Sequence, residues 1–194
     1  MNKKSNEWPV MFFGKQQTFE NWLQISHDTS QGVWLQIAKK DSGIVSISYN
    51  EALESALCYG WIDSQKEKFD EKMWLQRFTP RRTKSIWSKV NREKAELLIT
   101  NGRMKPSGFK AIETAKQSGQ WDNAYESQST ASLPEDFANE LEHNIKAKEF
   151  YNTLDRQNKY AIIFRIHSAK KPDTRAKRIL QFVNMLEKGE KIYP

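Results

Sequence analysis

All seven tryptophans lie at or before Trp121, and segments that alternate like β-strands end before about residue 90; beyond that point the apolar residues recur only at helical spacing. A chain divided in this way is not a serial strand–helix–strand repeat. It predicts an α+β region carrying an antiparallel sheet of about four strands, followed by a C-terminal helical bundle. The polar, unpatterned stretch from Asp122 to Ala131 is the best linker candidate. The expected organisation is an α+β domain over 1–130 and a helical region over 131–194, either separate or packed as one unit with the first.

Local signals place the elements. Phe19, Trp22, Leu23 and Ser26 predict a helix over Thr18–His27. Val33, Leu35 and Ile37 alternate with Trp34, Gln36 and Ala38 as in a strand, and after the Asp41-Ser-Gly43 turn the stretch Ile44–Ser48 reads as its hairpin partner. Ser48-x-x-Glu51 is a capping box that opens a helix stopped by Gly60. Trp61–Phe69 and Lys72–Thr79 form a second hairpin across Asp70-Glu71, which Pro80 ends. Helices over 88–100, burying Val90, Leu97 and Leu98, and over 106–118, presenting Phe109, Ile112 and Ala115, both stop at glycine. Ser132-Leu-Pro-Glu135 reads as another capping box, opening the bundle.

Charge is segregated along the chain. Residues 1–71 hold 7 basic and 10 acidic side chains, whereas residues 72–110 hold 11 basic and 2 acidic ones. Six carboxylates and no Lys or Arg occupy 122–143, and 156–194 return to a net +7. Such blocks either neutralise one another across the fold or leave an exposed basic face suited to an anionic partner. With a mean hydropathy of −0.81 and no apolar run near the ~18 residues that a span requires, no transmembrane segment is expected. The basic start Met1-Asn-Lys-Lys-Ser5 is followed by an apolar stretch of only Pro9–Phe13, too short for a secretory signal, so the expected location is cytoplasmic.

Catalytic and cofactor fingerprints are missing. The sequence has no Gly-rich dinucleotide or phosphate loop and no nucleophile elbow, so no cofactor is expected. His27, His143 and His167 are far apart and form no ligand pair, so no metal is expected either. Cys58, the single cysteine, forms no intrachain disulfide and falls on the packing side of its helix, as a small hydrophobe does. The informative stretch is Arg77–Asn91. It places Arg81, Arg82 and Lys84 on a Pro-initiated loop, followed by Ser85, Trp87 and Ser88 at the mouth of a helix. Guanidiniums grip phosphate or carboxylate with paired hydrogen bonds, a helix N-terminus attracts anions, and an indole offers a stacking face. The alternative is that Trp87 is core, Ser88 an ordinary cap and the arginines solvated.

Two blocks, Ala56-Leu-Cys-Tyr-Gly-Trp-Ile-Asp-Ser64 and Arg77-Phe-Thr-Pro-Arg-Arg82 with Ser85-Ile-Trp-Ser-Lys-Val-Asn91, give the chain a family likeness. Gly102-Arg-Met104, Gly119-Gln-Trp121, Ala169-Lys170 and Thr174–Ile179 extend it. The chain resembles the YdeI/OmpD-associated, or bacteriocin-protection, family of bacterial proteins. The resemblance implies a small protein with an α+β N-terminal region and a helical C-terminal region, tied by name to protection against bacteriocins, and it brings no agreed catalytic mechanism. Within the blocks, Gly60, Trp61 and Pro80 read as structural. Asp63, Arg81, Arg82, Lys84, Ser85, Trp87, Ser88 and Asn91 are the candidate ligand-binding set. The expected function is non-enzymatic binding of an anionic small molecule or acidic protein partner. The alternatives are a nucleic-acid-binding module using the basic blocks at a pI near 9.4, and an enzyme using Asp63 as acid or base.

Overall fold

In the computed structural model, Asp70 shapes the central hairpin: its Oδ1 accepts from the backbone N–H of Lys72 at 2.7 Å and of Met73 at 2.6 Å. That side-chain turn lets β3 (Trp61–Lys68) run antiparallel to β4 (Met73–Pro80), with Trp61 opposite Pro80 and Lys68 opposite Trp74. The structure describes residues 8–194, so the reading of Met1–Ser5 lies outside it. β2 (Val33–Ala38) pairs antiparallel with β4, and β1 (Val10–Phe12) pairs parallel with β2, giving the order β1-β2-β4-β3.

The fold is therefore α+β with four strands, but the sheet is mixed and not wholly antiparallel. The expected strand over Ile44–Ser48 is absent from it. The edge of β2 that it would have used is taken by β1. The 44–48 segment contributes only Ile47 to the core, with Val45 81% exposed, and is held by the bond from Ile47 N–H to Phe13 O and by Ser46 Oγ, which accepts from Ala38 N–H. The apolar stretch Pro9–Phe13 thus supplies the fourth strand.

Helices α1 (Gln16–Ser26) and α2 (Tyr49–Cys58) complete the N-terminal core, α1 beginning two residues earlier than its apolar spacing predicts. Phe19 and Leu23 of α1 are fully buried with Leu35, Trp61 and Phe78, each side chain worth about 2–3 kcal/mol of burial. The Ser48/Glu51 capping box is present in both directions, and its hydrogen bonds hold the Glu51 carboxyl below the usual range. Cys58 is buried, which pushes its thiol up to about 11 and leaves it a packing residue. α3 (Lys89–Thr100) and α4 (Pro106–Gln117) follow. α3 turns Ala95 and Leu98 inward, whereas Val90 and Leu97 are 44% and 60% exposed, contrary to the expected face.

The chain divides into two compact units, residues 1–124 and 125–194. The second holds α5 (Glu135–His143), α6 (Ile145–Thr153), α7 (Arg156–His167) and α8 (Pro172–Glu187) around Phe137, Ile162, Ile166, Ile179, Val183 and Leu186. The apolar face of α8 is thus committed to this core. Pro134, not Ser132, occupies the N-cap of α5, with an extended ψ of 137° and no side-chain cap. The expected box fails because Pro134 is itself extended and disfavours a helical turn at Leu133, so the helix starts only at Glu135. Arginines of α8 finish α7: Arg175 donates to Ile166 O at 3.1 Å, and Arg178 donates to Arg165 O and to Ser168 Oγ.

Arg175 also grips Asp136 through two bonds of 2.5 and 2.8 Å, which hold that carboxyl below the usual aspartate range. A depressed native pKa stabilises the fold above the unfolded value and ceases to do so as pH falls through the native one. Because Asp136 is about half exposed, the pair is worth roughly 1 kcal/mol. Arg175→Met should therefore lower stability by about that much at pH 7, and the gap to the parent should narrow below about pH 4. Urea titrations followed by helical circular dichroism at each pH check this; a gap independent of pH would assign the arginine to capping alone.

Candidate functional site

Where β4 ends, the chain is tied down before it reaches α3. Arg81 N–H donates to Gly60 O at 3.0 Å, fastening the loop to the α2–β3 turn. The next four residues close on themselves: Ser85 N–H donates to Arg82 O at 2.8 Å and Arg82 N–H to Ser85 Oγ at 2.9 Å. Trp87, 2% exposed, meets Trp121 edge-on at 4.8 Å. The Arg81 guanidinium lies 3.6 Å above the Trp87 ring and donates to Ile86 O at 3.2 Å. A cation over an indole face is held by the ring quadrupole, so Arg81 is fixed in place.

Facing this loop is one side of α4, where Ser107, Lys110, Ala111 and Thr114 recur at helical spacing. Between them opens a cleft of about 220 Å³ that Arg81, Arg82 and Ser85 line from the loop side. Gly60 closes its base at φ +74°, and a Cβ there would stand 2.7 Å from Ser107 O, so only glycine permits the approach of α4. His27 and Asp28, at the end of α1, complete the rim. His27 Nδ1 lies 2.9 Å from Leu23 O, a pure acceptor, so Nδ1 carries the hydrogen and Nε2 faces Asp28 Oδ1 at 3.1 Å. A second hollow of about 570 Å³ adjoins the cleft, sharing His27, Asp28, Pro80, Arg82 and Ser85.

The expected residues separate by position. Arg81, Arg82, Ser85 and Trp87 come together in the cleft. Lys84, Ser88, Asn91 and Asp63 do not line it. Ser88 uses its Oγ as the N-cap of α3, accepting from Asn91 N–H at 3.1 Å. Asp63 sits on β3 and accepts from Tyr49 Oη at 2.8 Å, away from the arginines' cleft. His27, Asp28, Ser107 and Lys110 escaped the sequence reading. For α4 a signal existed, since residues 107, 110, 111 and 114 form a stripe of small and polar side chains; of the expected face Phe109, Ile112 and Ala115, the last two are buried and Phe109 is 48% exposed. Two of the C-terminal cations counted toward a nucleic-acid surface, Arg175 and Arg178, are engaged on α7.

No group of three or more His, Cys, Asp or Glu among the described residues is placed to hold a metal, and none of their helices is long and apolar enough to cross a membrane. Together these features define an α+β domain with a small basic cleft, followed by a four-helix unit. Residues 11–111, just over half of the chain, match the family described as a domain of unknown function (DUF8412), and the chain belongs to that family. Residues 130–189 match the family described as Bacteriocin-protection, YdeI or OmpD-Associated, in agreement with the resemblance seen in the sequence. The motifs around Gly60 and Arg81 fall in the first match, and Thr174–Ile179 in the second. No curated protein and no solved structure matches the chain.

Proposed function

We propose that this is a non-enzymatic, protection-type bacterial protein that binds a small anion in the cleft between the 80–87 loop and α4. The family matched at residues 130–189 supports the broad class by its description. The carrying observation for the site is that Arg82 and Lys110, neither in an ion pair among the described residues, line one hollow together with Arg81 and Ser85. The Ser107 hydroxyl behind it is out of solvent and has no hydrogen-bond partner among the described residues. Arg81 supplies a fixed third cation, and the Ser85 turn holds Arg82 at the mouth.

The test is Arg82→Ala, because the Arg82 side chain is exposed and makes no bond within the described fold, whereas Arg81 also supports Trp87. Charge-assisted bonds of about 1.5–3 kcal/mol predict that inorganic phosphate binds the variant roughly 10- to 100-fold more weakly. Its melting temperature should stay within about 1 °C of the parent's, as surface changes usually allow. Calorimetric titration and thermal unfolding read the two quantities. Equal phosphate affinity in parent and variant, or no phosphate binding by the parent, rules the reading out.

A further inference from the structure

We infer that the guest of this cleft is a phosphate monoester whose organic part carries hydroxyl groups, with the phosphate in the smaller hollow and the hydroxylated part in the adjoining one; this rests on the anion-binding reading above. The two hollows share the edge formed by Arg82 and Ser85 on one side and by His27 and Asp28 on the other, so one molecule can reach both. Their sizes differ in the required sense. About 220 Å³ accommodates a tetrahedral oxyanion with a few waters, each occupying about 30 Å³, but falls below the usual range for an organic ligand of about 300–1,000 Å³. The adjoining 570 Å³ lies inside that range.

Charge selects the headgroup. Arg82 and Lys110, in no ion pair among the described residues, and Arg81 outnumber the one carboxylate of the smaller hollow, Asp28, and suit a phosphate monoester at about −1.5 to −2. Thr83 and Ser85 add hydroxyls at the loop side, whereas Thr114 Oγ1 already donates to Lys110 O at 2.8 Å. The larger hollow adds partners for hydroxyl groups. The Asp28 carboxylate on the shared edge accepts hydrogen bonds that ligand hydroxyls can donate. Gln31, exposed on the same wall, offers both a donor and an acceptor. Trp8 closes the far side with its ring, against which Arg77, also on that wall, is stacked at 4.8 Å. A hydroxyl-bearing skeleton fits that polar lining.

Calorimetric titration of the full chain with inorganic phosphate, ribose 5-phosphate and ribose tests the inference. Ribose 5-phosphate should bind at least tenfold more tightly than phosphate, and ribose alone should bind too weakly to measure. Gln31→Ala and Asp28→Asn should each remove most of that advantage without weakening phosphate, whereas Arg82→Ala weakens both phosphates. Equal, Arg82-dependent affinities for phosphate and ribose 5-phosphate overturn the inference and leave the anion site standing. So does an advantage that survives both Gln31→Ala and Asp28→Asn. Binding that ignores Arg82→Ala, or no binding of either phosphate, overturns both readings together.

Discussion

Gly108→Ala should destabilise the N-terminal unit by about 3 kcal/mol, a larger loss than any exposed substitution in α4 produces. A Cβ at this position would stand 2.3 Å from Cys58 O and 2.3 Å from Met104 Sδ. The Cys58 carbonyl has no freedom to retreat, because it accepts from Lys105 N–H at 3.1 Å and belongs to the last turn of α2. Alanine recovers about 1 kcal/mol of helix propensity, which does not offset a backbone overlap of this depth. The helix must move away, taking Ser107 and Lys110 from the cleft with it. Gly14→Ala is the control, since no atom lies within 4 Å of a Cβ there and its φ is not positive. Urea unfolding of the two variants should separate them by several kcal/mol; a neutral Gly108→Ala would mean that α2 and α4 are not in close contact.

Trp87→Ala should cost about 3–5 kcal/mol, as expected for emptying a buried indole site. The ring is 2% exposed, packs edge-on against Trp121 and carries Arg81 on its face, so its removal leaves a cavity and releases the guanidinium at once. Trp87→Phe keeps an aromatic face and should lose less than half as much. Both can be followed by urea titration, with phosphate affinity measured on the fraction that remains folded. That affinity should fall more in the alanine variant than in the phenylalanine one. A loss below about 1 kcal/mol for Trp87→Ala would place the indole at the rim and remove it as the support of Arg81.

What could be read from the sequence is what is local. The Ser48/Glu51 box and the 61–80 hairpin depend on residues within a few positions of one another, and both form as expected. The error over Ile44–Ser48 was a competition between two segments for one edge of β2, which periodicity within either segment does not report. The Ser132 box failed through the geometry that Pro134 imposes on its neighbour. The same distinction runs through the cleft. Arg81, Arg82, Ser85 and Trp87 are contiguous and stood out together, whereas His27 and Asp28 precede them by more than fifty residues and Lys110 follows by almost thirty. The glycine-enabled contact of α4 with the α2–β3 turn brings Lys110 there, and the bond from Trp61 Nε1 to His27 O at 3.2 Å brings the end of α1.

The stack of Arg81 on Trp87 has an entropic consequence. A side chain this long ordinarily loses about 0.5–1.5 kcal/mol of rotameric freedom when a guest immobilises it, but here that freedom was surrendered when the chain folded. An anion entering the proposed site would therefore have to order Arg82 and Lys110 but not Arg81.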